Sequence, residues 1–125
     1  KKLINMGKGI LGARVLVMGM TFKENVADIR NSKVVDIINE LKDFGVDVDV
    51  VDAYADPEEV KQMYGFSLIE KPRNNYDAVI VAVSHDAYKD LDEKYFKSLT
   101  CDNAVLVDVK GMYRGKINEL KYWSL

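Results

Sequence analysis

The polar segment 21–32 carries side chains suited to binding an anion. It contains the cations Lys23 and Arg30, with Asp28 between them, and it has neither helical nor strand periodicity. An apolar run, 14–20, precedes the segment, and an amphipathic helical pattern follows it. A loop in this position ends at a helix N-terminus, where free N–H groups and the helix dipole favour anions. Two interpretations stay open on these residues: Lys23 and Arg30 hold phosphate groups, with Asp28 orienting a neighbouring side chain, or both cations are solvated surface charges.

A further cation, Lys110, follows a second apolar run, 104–107, and Arg114 comes shortly after it. Parallel strands end at the same edge of a sheet, and ligands of open α/β sheets bind beyond these carboxyl ends. We therefore expect Lys110 to face the same crevice as Lys23. The alternative is an ordinary turn, in which Gly111 supplies the unusual backbone dihedral angles.

Three other reactive side chains are interpreted as structural. His85 follows an apolar run and is of a type that serves as general acid or base, but no Ser or Cys nucleophile is evident, so we favour a helix-start or polar structural role. Cys101 has Asp102 beside it, whereas a catalytic thiol needs cationic neighbours. Asp52 follows a predicted strand, and without a dinucleotide fingerprint we interpret it as a turn residue. We predict neither a catalytic residue nor a metal ligand in this chain.

The segment 7–12 spells G-x-G-x-x-G, the pattern of dinucleotide-binding loops. That fingerprint requires its glycines after a strand and at the start of a helix, whereas these precede the first predicted strand. We interpret residues 1–12 as a lead-in from a preceding domain and residues 13–125 as the domain itself. The chain begins with Lys1 rather than Met, which we interpret as a cut from a longer polypeptide.

Strand and helix patterns alternate along the chain, which indicates parallel strands joined by right-handed crossovers. The prediction is a three-layer α/β/α Rossmann-like domain with a mainly parallel sheet of five or six strands. The run 78–83 is the most apolar and is expected at the sheet centre, whereas 46–51 alternates with Asp and is expected near an edge. The predicted strands are 14–20, 46–51, 67–69 (minor), 78–83, 104–107 and 122–125, and the predicted helices begin near 33, 57 and 92.

Local signals predict where two of these helices begin and end. Asn31 or Ser32 can cap the first helix, and Gly45 can end it. Asp56 precedes a proline and is expected to cap the second helix, which Gly65 ends.

The composition limits the choice of partners. The 125 residues include 18 Lys and Arg against 20 Asp and Glu, giving a net charge of −2, so nucleic acid and anionic membranes are not expected as partners. No apolar run approaches the ~20 residues of a membrane span. A single cysteine excludes an internal disulfide and favours a reducing, cytoplasmic location.

Several motifs together resemble one family. Gly19-Met20-Thr21-Phe22-Lys23 followed by Asp28-Ile29-Arg30-Asn31-Ser32 is similar to the G-x-x-F-K … D-x-R-x-S signature of the UDP-glucose/GDP-mannose dehydrogenase family, in its C-terminal UDP-binding domain. Agreement continues through Val50-Val51-Asp52, Tyr76-Asp77-Ala78-Val79 and Val107-Asp108-Val109-Lys110-Gly111. The ending Tyr122-Trp123-Ser124-Leu125 resembles members that oxidise UDP-N-acetylhexosamines, the substrate class we favour over UDP-glucose.

The resemblance implies an NAD-dependent oxidoreductase of polysaccharide biosynthesis that oxidises the C6 alcohol of a UDP-sugar to a carboxylate. It implies that Phe22, Lys23 and Lys110 contact the substrate and that Arg30 approaches the cofactor across a domain cleft. NAD would be bound mainly by an N-terminal domain, and a middle domain would supply the catalytic cysteine and the contacts of a homo-oligomer. The isolated chain is therefore predicted to lack dehydrogenase activity.

Two other classes stay open on the residues alone. One is a flavodoxin-like module of response-regulator type, which needs an acidic pair after the first strand to hold Mg²⁺. Gly19-Met20-Thr21-Phe22 occupies that place and counts against it. The other is a Rossmann-like nucleotide-binding or interaction module without catalysis.

Overall fold

The sheet is built from five parallel strands with helices on both faces. The computed structural model of the chain describes residues 12–124. Within that range the strand order is β2-β1-β3-β4-β5, and every neighbouring pair is parallel. The elements in chain order are β1 Arg14–Met18, α1 Val34–Asp43, β2 Asp47–Val51, α2 Pro57–Tyr64, β3 Tyr76–Val81, a 3₁₀ turn Asp86–Tyr88, α3 Glu93–Leu99, β4 Thr100–Asp108 and β5 Lys121–Ser124.

Alternating residues of the strands build a separate core on each face of the sheet. Val15 and Val17 of β1 pack in the core that contains Ile38 of α1 and Val60 of α2. Leu16 of β1 packs in the opposite core, which includes residues of α3. An interior strand of a parallel sheet with two covered faces is apolar on both sides, which is why β1 and most of β3 are continuous apolar runs in the sequence. The three-layer Rossmann-like architecture is confirmed.

The predicted positions of two strands are also confirmed. β3 lies third of five, with a strand hydrogen-bonded on each side, and β2 lies at an edge. β4 begins earlier than predicted, at Thr100, and β1 ends earlier, at Met18. The chain leaves β1 at Gly19, whose φ of +92° lies in the left-handed region.

Residues 67–69 are not a strand. Ile69 N–H donates one hydrogen bond to Val50 O (2.9 Å), but no ladder forms and the segment has no strand geometry. The prediction of a minor strand there is wrong, because one backbone contact beside β2 does not extend into pairing.

The cap predictions had mixed outcomes. Asp56 caps α2 as predicted, with its carboxylate accepting from Glu58 N–H (3.0 Å), and Gly65 ends that helix with φ +82°. Gly45 follows the end of α1 with φ +83°. The prediction that Asn31 or Ser32 caps α1 is wrong: the N-cap is Lys33, without a side-chain cap. The hydroxyl of Ser32 donates instead to Met20 O (2.5 Å), because the buried loop carbonyl competes for it.

No helix within residues 12–124 is long and apolar enough to cross a lipid bilayer.

Candidate functional site

A cavity of about 290 Å³ lies at the carboxyl edge of the sheet. Three parts of the chain line it: the loop 19–33 together with the start of α1, the residues just after β3, and the residues just after β4. This is the edge at which open α/β sheets bind ligands. The lining residues are Thr21, Phe22, Lys23, Glu24, Asn31, Lys33, Val34, Ile37, Ala82, Val83, Val109 and Lys110.

The cavity combines an apolar wall with cations. Phe22, 55% exposed, contributes an aromatic ring, and Val34 and Val83 extend the apolar surface. Lys23, Lys33 and Lys110 bring three positive charges to the same lining, against the single carboxylate of Glu24. Such a surface suits a ligand with an unsaturated ring and an anionic part.

Sequence reasoning missed Lys33 as a lining residue. The sequence pattern identifies Lys33 only as the first residue of the predicted helix. The available signal was its position, since a side chain at the N-terminus of α1 lies at the same sheet edge as the loop before it. Lys23 and Lys110 are brought together as predicted, although nearly ninety residues separate them in sequence.

Local hydrogen bonds hold the loop that presents Phe22 and Lys23. The hydroxyl of Thr21 donates to Lys23 O (2.9 Å), and Phe22 N–H donates across the loop to Asp28 O (2.8 Å). Asn25 has φ +61°, a left-handed conformation that Asn tolerates better than most residues. The backbone between Thr21 and Asp28 is therefore a closed, internally bonded turn.

Asp52 ties the end of β2 to the end of β1. Its Oδ1 accepts from Tyr54 N–H (2.8 Å) and Ala55 N–H (2.9 Å), which confirms it as a turn residue. Its Oδ2 accepts from Met20 N–H (2.7 Å), one residue before the cavity lining begins. The side chain is fully buried, and its charge is balanced by hydrogen-bond donors.

His85 joins the same network from the end of β3. Its ring is fully buried and packs edge-on against Tyr54, with centroids 4.7 Å apart. Nδ1 accepts from Asn25 N–H (2.9 Å), and Nε2 lies 3.1 Å from Asp52 Oδ2. A nitrogen that accepts from a backbone N–H carries no proton, so the proton is on Nε2 and points to the carboxylate. This agrees with the polar structural role expected for His85.

A second buried carboxylate shapes the turn that carries Lys110. Asp108 accepts from Met112 N–H (3.0 Å), Tyr113 N–H (2.7 Å) and the hydroxyl of Tyr122 (2.5 Å). These hydrogen bonds hold a turn in which Gly111 has a φ of +71°, as the turn interpretation predicts. The same turn places Lys110 in the cavity lining.

Arg30 lies apart from the three lysines. It lines a different depression with Glu59 and Met63, and its side chain is 74% exposed. Its guanidinium makes two hydrogen bonds to Asp28, at 3.1 and 3.2 Å, and these bonds lower the pKa of the Asp28 carboxyl. Asp28 therefore orients a neighbour as predicted, and that neighbour is Arg30. Phe22, Lys23 and Lys110 share one cavity, and Arg30 does not.

Cys101 lies at the opposite edge of the sheet. The residue lies at the start of β4, with its Sγ 3.3 Å from Oδ1 of Asp77 in β3, whereas the cavity lies beyond the other end of β4. The paired strand β3 covers the length from the Thr100 register to the Asp108 register in five residue steps, from Tyr76 to Val81, which is about 17 Å of extended strand. The thiol therefore lies far from the cavity and is not among its lining residues. Within residues 12–124, no three His, Cys, Asp or Glu side chains cluster as a metal site would require.

A parallel five-stranded sheet covered on both faces, with a cationic cavity beyond its carboxyl ends, defines a Rossmann-like α/β domain. Residues 16–115 match the model of the UDP-glucose/GDP-mannose dehydrogenase family, UDP binding domain. The chain belongs to this family, and the resemblance noted in the sequence is confirmed.

Relatives with curated names agree with this assignment. The chain is 38% identical over 111 residues to UDP-N-acetyl-D-glucosamine 6-dehydrogenase of Salmonella typhi, covering 88% of this chain and 26% of the relative. It is 42% identical over 113 residues to Protein CapL of Staphylococcus aureus, covering 90% and 26%. The chain therefore spans about a quarter of the length of these relatives.

A solved structure has the same fold. NDP-N-acetyl-D-galactosaminuronic acid dehydrogenase from Methanosarcina mazei Go1 superposes with a TM-score of 0.82 over 98% of this chain and 26% of its own length. Its 24% identity makes this likeness evidence for the fold alone.

Proposed function

We propose that the chain binds the UDP part of a nucleotide sugar in the cavity at the carboxyl edge of the sheet. We further propose that it does so as the UDP-sugar-binding domain, from residue 13 onward, of an NAD-dependent 6-dehydrogenase that oxidises the C6 alcohol of the sugar to a carboxylate. The observation that carries the proposal is the shared cavity of Phe22, Lys23 and Lys110. These residues come from two of the motifs by which the chain resembles its family.

The chemistry of the lining fits the parts of UDP. A uracil ring offers an apolar face to an aromatic or aliphatic wall such as Phe22 and Val34, and a diphosphate offers oxygens to lysine ammonium groups. Lys33 adds a third cation at the helix N-terminus, where backbone N–H groups also favour anions. In this proposal Phe22, Lys23 and Lys110 contact substrate, and Lys33 joins them.

The size of the cavity supports a substrate site that other domains complete. About 290 Å³ is at the lower end of ligand pockets, which hold about 300–1,000 Å³. The chain also covers only 26% of the relatives named above. We therefore propose that N-terminal and middle domains of the same polypeptide complete the sugar site. The relatives named as UDP-N-acetylglucosamine and UDP-N-acetylmannosamine dehydrogenases favour an N-acetylhexosamine as the sugar.

NAD, in this proposal, is bound mainly outside residues 12–124 and accepts hydride from the substrate. Arg30 fits a position at the edge of that site, because Asp28 fixes its guanidinium while leaving 74% of the side chain exposed. Oligomeric assembly through the middle domain, a cytoplasmic location and the inactivity of the 125-residue chain by itself remain predictions. Reduction of NAD by the purified chain with a UDP-sugar would contradict the last of these.

Binding of UDP to the purified chain, measured by isothermal titration calorimetry, tests the proposal. We expect Lys23→Ala and Lys110→Ala each to weaken UDP about tenfold, because a hydrogen bond to a charged group contributes about 1.5 kcal/mol or more. Lys94→Ala is the matched control: Lys94 is an exposed lysine on α3, outside the cavity lining. Uridine, which lacks phosphate, should bind all of these proteins with similar weak affinity.

If UDP binds with undiminished affinity after Lys23→Ala and Lys110→Ala, the site assignment is wrong. If UDP binds neither the 125-residue chain nor the full-length polypeptide, the chain is an interaction module rather than a UDP-binding domain.

A further inference from the structure

Two fully buried side chains and one residue of the exposed loop connect the end of β2 to the segment that presents Phe22 and Lys23. We call Asp52, His85 and Asn25 the loop clasp. Asp52 and His85 are separated by 33 residues, and His85 and Asn25 by 60, so the clasp joins three distant parts of the chain. The side chains of Asp52 and His85 are both fully buried.

The hydrogen bonds of the clasp have a fixed direction. Asp52 accepts from Met20 N–H, Tyr54 N–H and Ala55 N–H, so it is surrounded by donors and must act as an acceptor toward His85 as well. The Nε2–H of His85 therefore points to Asp52, at 3.1 Å. The lone pair of Nδ1 is left to accept from Asn25 N–H at 2.9 Å. Asp52 thus selects the tautomer of His85 that can bind the loop.

The loop end of the clasp is bonded on two sides. Besides its backbone bond to His85, Asn25 accepts through Oδ1 from Asp86 N–H (2.7 Å). The hydroxyl of Thr21 lies 3.3 Å from His85 Nε2 and donates to Lys23 O. The backbone of Lys23 is therefore held from both directions, through Thr21 on one side and through Asn25 on the other.

We propose that His85 is a positioning residue for the cavity: held in its Nε2–H tautomer by Asp52, it fixes the 21–25 loop in the conformation that presents Phe22 and Lys23 to the ligand. The effect of this positioning on UDP affinity rests on the proposed function. The apparent affinity of a site is its intrinsic affinity multiplied by the fraction of molecules in the competent conformation. A clasp that keeps the loop in one conformation therefore raises affinity without touching the ligand.

Two substitutions at one position separate the clasp from simple packing. Both His85→Asn and His85→Gln remove the ring that packs on Tyr54, so both should lower the unfolding temperature. Asn places its amide oxygen near the position of Nδ1 and can still accept from Asn25 N–H, whereas Gln places its polar group near Nε2 and cannot. The two variants therefore have similar burial at position 85 and differ in whether the hydrogen bond from Asn25 N–H is kept.

The direct readout is hydrogen exchange of the Asn25 amide in the 125-residue chain, followed by NMR. We expect protection in the unaltered protein, partial protection in His85→Asn, and about tenfold lower protection in His85→Gln than in His85→Asn. UDP affinity should follow the same order. Nitrogen chemical shifts of the His85 ring should show Nδ1 unprotonated.

Asp52→Asn tests the other end of the clasp and keeps the proposal testable if His85 variants fail to fold. With its amide oxygen kept on Tyr54 N–H and Ala55 N–H, the Asn side chain places its NH₂ group where Oδ2 of Asp52 accepts from the Nε2–H of His85. This orientation favours the Nδ1–H tautomer, which sets two donors against each other at Asn25. We expect the ring nitrogen shifts to exchange and Asn25 protection to fall.

Equal Asn25 protection in His85→Asn and His85→Gln overturns the proposal, whatever happens to UDP binding. Unequal protection with equal UDP affinity also overturns it, because the loop would then be ordered without consequence for the ligand. Unequal protection in a chain whose unaltered form binds no UDP supports the clasp and contradicts the proposed function instead, so the two failures are distinguishable.

Discussion

Gly19 is the residue whose replacement should do the most damage for the smallest chemical change. A Cβ at this position would lie 2.7 Å from Val83 Cβ and 3.0 Å from Val83 backbone N. The φ of +92° is in the left-handed region as well. Gly19→Ala therefore adds backbone strain to a steric clash with a neighbouring strand end.

Each of these two effects has a known size. A left-handed conformation costs a non-glycine residue about 1–2 kcal/mol, and an extra methyl group in a packed region costs about 1–3 kcal/mol. Together they lower the free energy of unfolding by about 2–5 kcal/mol. Because Val83 also lines the cavity, its displacement should weaken UDP binding.

Gly65→Ala is the matched control. Gly65 has a similar φ of +82°, but a Cβ there would meet nothing within 4 Å. Only the strain of about 1–2 kcal/mol applies, and UDP affinity should be unchanged. Urea denaturation followed by circular dichroism measures both losses, and the difference between them isolates the clash. Equal losses for the two variants would refute the argument from close approach.

Two further predictions concern buried carboxylates. Burial opposes the ionisation of Asp49, but hydrogen bonds from Arg73 and Tyr76 outweigh this effect and lower the pKa of the carboxyl. The ionised carboxylate therefore stabilises the folded state. This stabilisation is complete above the unfolded-state pKa of about 3.9 and is lost as the pH falls through the lower folded-state pKa. Acid titration of the urea midpoint should therefore show a smaller decline in Asp49→Asn than in the unaltered chain, and an equal decline would contradict this. Asp108→Asn should lower the free energy of unfolding, measured by urea denaturation, by about 1–3 kcal/mol and should weaken UDP binding. Both carboxylate oxygens accept hydrogen bonds, so either orientation of the amide sets its NH₂ group against a backbone N–H, for example that of Tyr113. Unchanged stability would show that Asp108 does not hold the turn that carries Lys110.

Periodicity and cap residues determined most of the fold. The apolar runs became strands because both faces of the sheet are covered, and the helix pattern beginning at Lys33 became α1. The cap prediction was wrong where a group elsewhere in the chain competed for the hydrogen bond of a capping side chain. The hydroxyl of Ser32 is near enough in sequence to cap α1, but it donates its hydrogen bond to the carbonyl of Met20 instead.

The cations that follow β1 and β4 are visible in the amino-acid sequence, and the topology of a parallel sheet brings such positions to one edge. Tertiary structure decided which of them share a cavity: Lys23, Lys33 and Lys110 do, and Arg30, bonded to Asp28, lies in a separate depression. The physical reason is the range of the interactions. Helical and strand periodicity act between neighbours in sequence, whereas side-chain bonds such as His85 to Asn25 join residues 60 positions apart, and no local pattern encodes them.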